Sequence, residues 1–156
     1  DKMSTNNTLG GNTMNKSHIK KIVALVLGVV ILYGAVFFSY EYATEPKIVD
    51  GVLSKGIDAK GNPVNMTNEF TREDTIYFSA KQNRFWIKKA KIVWYKGEIK
   101  TKNRIYEEEE VKVNKAGYFS AKLSVPNGLE EGLYGVTIFV DGSQIMEIKA
   151  EFNIKE

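Results

Sequence analysis

Side chains that carry acid–base or nucleophilic chemistry are scarce in this sequence. Its 156 residues include one histidine, His18, and no cysteine. His18 lies in a basic run just before a long apolar segment, so we expect a polar residue at headgroup level rather than a catalytic base or a metal ligand. Because the rest of the chain has no histidine and no cysteine, it cannot form a Ser-His-Asp triad, disulfides or the usual zinc and copper ligand sets. We therefore predict no enzyme activity, no metal site and no cofactor.

The carboxylates form one cluster, at residues 107–110, where four glutamates follow one another. A glycosidase needs two carboxylates that face each other across a cleft, and in a strand only residues two apart lie on one face. We interpret the cluster as a solvated strand end or loop, with a weak site for calcium or a cationic partner as the alternative. Asp58, Asn62 and Asn65 do not match the spacing of an EF-hand, and ordinary turn chemistry explains them.

Aromatic and basic side chains are interleaved between Arg84 and Lys91, in the run RFWIKKAK. Such a run can meet anionic headgroups, wall polymers or sugar rings, because an indole offers a stacking face and the lysines offer charge. The alternative is structural: a loop aromatic covers the edge of a sandwich, and the next strand carries outward lysines that discourage aggregation. The predicted partner-binding residues are Trp86, Lys88, Lys89, Lys91 and Tyr95.

The longest apolar segment is Ile22–Tyr40, which has 19 residues and no charge. As a helix it is about 29 Å long, close to the ~30 Å hydrocarbon core of a bilayer. Lysines precede it and Glu41 and Glu45 follow it, which predicts a cytoplasmic N-terminus and an extracytoplasmic C-terminus. We predict an uncleaved anchor that contacts the lipid bilayer through residues 22–40. A cleaved signal peptide and a buried core helix are the alternatives.

The segments on either side of the anchor differ in composition. Residues 1–21 are predicted to be a disordered, basic cytoplasmic tail, because small polar residues dominate them and apolar periodicity is absent. Residues 41–46 are predicted to be a short linker, so the domain at residues 47–156 must lie close to the membrane. That domain has 18 basic and 16 acidic residues, and this near balance gives no support for nucleic-acid binding.

Apolar residues of the domain recur with a period of two, as in Ala90, Ile92 and Trp94, which is typical of strands. Turn residues separate the strands at 59–63 and 114–117, and Asp141-Gly142 is typical of a two-residue hairpin. Weaker strands are expected at Gly51–Asp58 and Glu98–Tyr106. About seven strands over about 110 residues predict an all-β fold, an antiparallel β-sandwich preceded by one N-terminal transmembrane helix.

Two details resemble an immunoglobulin-like sandwich. Trp94 lies in the run after the first clear core strand, where such domains bury a strand-C tryptophan, and Tyr134 in LEEGLYGVTI resembles a tyrosine corner. The resemblance is to the generic immunoglobulin-like and fibronectin-III-like domains of membrane-anchored bacterial or archaeal surface proteins, and to no specific family. The expected core residues are Trp94, Tyr134, Phe119, Ile138 and Phe152.

The fold implies adhesion, spacing or partner binding by analogy. We expect a single-pass membrane protein whose domain binds a protein or a cell-envelope polymer near the membrane, as an accessory subunit or a short-range adhesion module. A pilin-like filament subunit is one alternative. A carbohydrate-binding module with stacking platforms at Trp86, Tyr95 or Tyr118 is another. An exposed apolar patch, which would mark a partner surface, is expected among Tyr77, Val93, Tyr95 and Phe139.

Overall fold

A computed structural model describes residues 15–156. The chain divides between Glu45 and Pro46 into an N-terminal unit with one α-helix and a C-terminal unit with all the strands. Residues 1–14 of the predicted disordered tail lie outside the described residues.

Helix α1 comprises Lys16–Thr44 and is longer than the predicted Ile22–Tyr40. Lys16–Lys21, which we expected in the disordered tail, and Glu41–Thr44, which we expected in the linker, are both helical. Asn15 caps the N-terminus, since its side chain accepts a hydrogen bond from the Ser17 N–H at 3.2 Å. Polar residues outside the apolar run thus extend the helix by roughly a turn or more at each end.

The C-terminal end of α1 is fixed by hydrogen bonds of its last turn. The Thr44 hydroxyl donates to the Tyr40 carbonyl at 2.9 Å, and the Glu45 N–H donates to the Glu41 carbonyl at 3.1 Å. Pro46 then ends the helix, because proline cannot continue its hydrogen-bonding pattern. Helix α1 is long and apolar enough to cross a membrane, and none of its side chains is buried.

Nine strands form two sheets in the C-terminal unit. The strands are β1 Ile48–Ile57, β2 Pro63–Met66, β3 Glu69–Thr71, β4 Ile76–Gln82, β5 Lys89–Lys96, β6 Arg104–Lys112, β7 Tyr118–Leu123, β8 Gly132–Val140 and β9 Met146–Lys155. One sheet has the order β2-β1-β4-β7 and the other β3-β9-β8-β5-β6. The predicted all-β sandwich after a single N-terminal helix is confirmed.

The strand connections follow the immunoglobulin-like order. β4 and β7 lie in one sheet while β5, β8 and β9 lie in the other, as strands B and E and strands C, F and G do in such sandwiches. The strand count of about seven was too low, because the short strands β2 and β3 escape a period-two pattern. One pairing also departs from the antiparallel prediction, since β3 runs parallel to β9.

The core lies between the two sheets, and all five expected core residues are buried there. Phe152 is the centre of an aromatic cluster: its ring stacks on Tyr134 at 5.7 Å and meets Trp94 and Phe70 edge-on at 6.1 and 5.6 Å. The Tyr134 hydroxyl donates to the Glu130 carbonyl at 3.0 Å. This bond to backbone four residues upstream is the geometry that the resemblance to a tyrosine corner implies.

Three local predictions were wrong. The strand expected at Glu98–Tyr106 is instead β6, which begins at Arg104 after a loop that contains a 3₁₀ turn at Thr101–Asn103. The loop folds back because Asn103 donates its side-chain amide to the Glu98 carbonyl at 2.8 Å. The β8–β9 connection spans residues 141–145 rather than two residues. The alternation of Phe119, Ala121, Leu123 and Val125 with polar residues predicts a strand as far as Val125, whereas β7 ends at Leu123.

Candidate functional site

The predicted partner-binding residues do not form one surface. Trp86 and Lys88 lie exposed in the loop between β4 and β5, whereas Lys89 and Lys91 are half-buried on the outer face of β5. Tyr95, at the other end of that strand, is buried. The structure therefore separates a loop aromatic from a strand whose lysines have partners within the same chain.

Tyr95 cannot serve as an exposed platform, so its prediction was wrong. Its hydroxyl lies 3.2 Å from the hydroxyl of Thr137, and both side chains are buried. Val93 and Phe139 are buried beside Tyr95 in a small second cluster, against which Ile99 packs. Ile99 comes from the loop between β5 and β6, so this loop covers the outer face that we expected to be an exposed apolar patch.

The glutamate cluster lies within β6, next to the lysines of β5, and is not a strand end or a loop. Lys89 Nζ lies 2.8 Å from Glu110 Oε1, and Lys91 Nζ lies 3.4 Å from Glu107 Oε1. The hydrogen bond from Lys89 lowers the pKa of the Glu110 carboxyl, and the same bond raises the pKa of Lys89. These pairs neutralise much of the charge that the sequence shows in both segments.

A β-bulge explains how these glutamates meet the lysines. Ala90 pairs with Val111 and Ile92 pairs with Glu108, so two residues of β6 oppose the single residue Lys91. Glu110 adopts a φ of 57°, a conformation uncommon for a residue with a side chain. Strict alternation along 107–110 therefore does not describe this edge strand.

The loop between β4 and β5 keeps its aromatic side chains at the surface. Phe85 and Trp86 meet edge-on with their rings 5.0 Å apart, and both are exposed. The Gln82 side-chain amide donates to the carbonyls of Phe85 and Ile87, which holds the loop backbone. The loop is thus an ordered aromatic projection, and Phe85 belongs with Trp86 although the sequence reasoning did not select it.

A cleft of about 660 Å³ opens where the edge strands of the two sheets, β6 and β7, come together. Sequence reasoning missed it, because its walls come from segments far apart in the chain. Ile105 and Tyr106 of β6 and Val125 after β7 are each about half exposed along it. The other lining residues are Ile57, Tyr77, Glu108, Ser120, Ala121, Lys122, Leu123, Ser124 and Leu129.

The cleft combines apolar and hydroxyl side chains with the open edge of a strand. β7 pairs with β4 on one edge and has no strand on its other edge among residues 15–156. Glu108 and Lys122 supply the only opposite charges of its lining, beside apolar and hydroxyl side chains. An extended segment that lies along β7 can bond to its main chain and place alternate apolar side chains in the cleft.

Catalytic and metal-binding groups do not converge at these places. Within residues 15–156, no three His, Asp or Glu side chains are grouped so that they could hold a metal ion. The single histidine, His18, is in helix α1, outside the unit that contains the cleft. What the described residues offer is an exposed aromatic loop and an apolar cleft.

Comparisons of the sequence with protein-family models and with curated proteins find no match.

Proposed function

We propose that this chain is a membrane-anchored binding module without catalytic activity. Helix α1 holds it in the membrane, with the N-terminus in the cytoplasm and the β-sandwich outside. The domain binds an extended segment of a protein partner, a neighbour in the same membrane or cell envelope, in the cleft between β6 and β7. The observation that carries this proposal is the apolar cleft beside the open edge of β7.

The chemistry of the cleft defines the segment that would fit it. An added strand gains main-chain hydrogen bonds from β7 and specificity from every second side chain. Half-exposed Ile105, Tyr106 and Val125 would be covered by apolar side chains of that segment. Glu108 and Lys122 also line the cleft, and each would pair with one opposite charge of that segment. A charged polymer would meet few complementary groups here.

Crosslinking in native membranes tests the proposal. A photoreactive amino acid placed at Tyr106, and in a second chain at Val125, should capture the same partner protein. Met66 is a matched control, because it is exposed and apolar but lies in β2 at the opposite edge of the four-stranded sheet. Equal capture from position 66, or different neighbours from positions 106 and 125, would count against the cleft.

Substitution in the cleft gives the quantitative counterpart. Tyr106→Ser and Val125→Ser each remove apolar surface that a bound segment would bury, worth about 1.5–3 kcal/mol for a fully buried side chain. Because both side chains are already about half buried, about half of that energy is at stake, and capture of the partner identified by crosslinking should fall by about threefold to tenfold. Met66→Ser should leave capture unchanged. The proposal fails if all three variants capture the partner as well as the unmodified chain does.

A further inference from the structure

Two loops lie together at the end of the sandwich where the chain enters it. The Asn83 N–H donates to the Lys47 carbonyl at 3.0 Å, and its side-chain amide donates to the Pro46 carbonyl at 2.7 Å. The Lys47 N–H donates to Glu147 Oε2 at 2.9 Å. The first residues of the domain therefore lie between the loop at residues 83–88 and the start of β9, which follows the β8–β9 connection, and we call this end the entry tip.

The entry tip carries several large apolar side chains that are exposed. Phe85 is 76 % exposed, Trp86 45 % and Ile145 69 %. Next to Ile145, Met146 is also exposed at the start of β9. Lone exposed apolar residues need no explanation, but several on two adjoining loops form the kind of surface that marks an interaction site.

The covalent distance from the anchor limits where the entry tip can lie. From Tyr40, the end of the apolar run, four more helical residues advance about 6 Å, and the two steps from Thr44 to Pro46 reach at most about 7 Å. Pro46 therefore lies within about 13 Å of the end of the apolar run. The headgroup layer is about 5–8 Å deep on each side of a bilayer. The entry tip thus cannot lie far above the membrane surface.

The charges of the entry tip do not repel lipid. Lys47, Arg84 and Lys88 are the cations of its segments and Asp141 and Glu147 are the anions, so the net charge is small. Tryptophan is enriched at membrane interfaces, because its indole has an apolar body and a polar N–H. Binding through such a surface depends on apolar insertion and needs no anionic lipid.

We propose that the entry tip inserts Phe85, Trp86 and Ile145 into the headgroup layer of the membrane that anchors the chain. This inference rests on the proposed function, since it takes helix α1 as the anchor. It adds a second membrane contact that fixes the orientation of the sandwich. The cleft residue Tyr77 lies near the start of β4, and Asn83 of the entry tip follows the end of that strand. Six residues of extended strand separate the two by about 20 Å. The cleft is therefore held toward the end of the sandwich remote from the lipid.

Tryptophan fluorescence of the full chain, reconstituted in phosphatidylcholine vesicles, tests the insertion. The chain has two tryptophans, and Trp94 is fully buried in the core. Lipids brominated on their acyl chains should quench the emission of Trp86 and leave that of Trp94. Trp86→Phe should therefore remove most of the quenchable emission. Phe85→Ser combined with Ile145→Ser should reduce quenching at least twofold and shift the emission to longer wavelength.

Tyr106→Ser is the matched control for this experiment. It removes a half-exposed aromatic side chain in the cleft and should leave the quenching unchanged. The insertion is overturned if the chain floats with the vesicles but brominated lipid leaves its emission unaltered, in which case the anchored binding module stands. A chain that does not float with the vesicles overturns the anchor and the insertion together.

Discussion

At Tyr95 the side chain points to the outer face of β5, and its hydroxyl is nevertheless buried against that of Thr137 at 3.2 Å. Removal of one hydroxyl leaves the other buried without a partner, which costs about 1–3 kcal/mol. Tyr95→Phe should therefore lower the free energy of unfolding by that amount, measured by urea denaturation of the full chain in mild detergent. Adding Thr137→Val to Tyr95→Phe should recover part of the loss, because both polar groups are then gone.

A double-mutant cycle isolates the coupling between these two hydroxyls. We expect a coupling of about 1 kcal/mol or more, and Tyr106→Phe, which removes an exposed hydroxyl in β6, should change stability by less than about 0.5 kcal/mol. Strictly additive effects of Tyr95→Phe and Thr137→Val would contradict the pairing.

The contrast between Trp94 and Tyr95 shows what the sequence can predict about single residues. Period two assigns Trp94 to the inner face of its strand, and the inner face of a sandwich is buried whatever the loops do. Tyr95 belongs to the outer face, where burial depends on whether some distant segment covers it. That segment contains Ile99, whose position comes from the loop and the 3₁₀ turn. The alternation of residues along β5 therefore does not predict that Ile99 covers Tyr95.

At the scale of elements, the loop between β5 and β6 is held over the outer face by a close approach to β8. A Cβ atom added at Gly135 would lie 2.5 Å from Ile99 Cγ1. Gly135 of β8 lies between Tyr95 of β5 and Glu151 of β9 and leaves the space that Ile99 fills. Gly135 is therefore required so that the loop between β5 and β6 can cover the outer face. The requirement is for space, and not for a left-handed backbone conformation.

Gly135→Ala tests this contact, because the sign of its effect on the free energy of unfolding depends on whether Ile99 is present. In the unmodified chain we expect a loss of about 1–3 kcal/mol in the free energy of unfolding, the usual cost of overpacking. In an Ile99→Ala background the space is vacant, so the same change should be neutral or stabilise by up to about 1 kcal/mol, since glycine within a strand is unfavourable. Urea denaturation followed by Trp94 emission measures both. A loss of equal size in both backgrounds would mean that Gly135 does not act through Ile99.

The cleft shows why an element can be predicted while a site built from it is not. The strand that follows β5 was expected, but its start was placed six residues too early, since four consecutive glutamates are unusual for a strand. The β-bulge at Glu110 then changes which residues of β6 face the core. Because the cleft lies between β6 and the end of β7, both details decide its shape. Neither can be obtained from the local pattern alone.

At the scale of the whole molecule, the proposed function divides the work between helix α1, as the anchor, and the sandwich. Lys16, Lys20 and Lys21 lie on the N-terminal side of the apolar run, within the range over which positive charge sets orientation. Under that proposal the sandwich contributes a cleft and an entry tip, and the cleft meets its partner only if the sandwich is on the outer side of the membrane. Orientation is therefore the property on which the proposed function depends.

Charge reversal tests the orientation directly. The chain should stay in the membrane pellet after alkaline extraction, and protease added to intact spheroplasts should digest the sandwich. Replacement of Lys16, Lys20 and Lys21 by Glu removes the positive-inside bias, so a protected fraction of the sandwich should appear. The same changes at Lys96, Lys100 and Lys102, which lie at the end of β5 remote from the entry tip and in the loop that follows, give an equal change of charge within the domain and should leave the sandwich accessible. Digestion only after the membrane is broken would reverse the topology, and a released chain that begins after Tyr40 would identify the helix as a cleaved signal peptide.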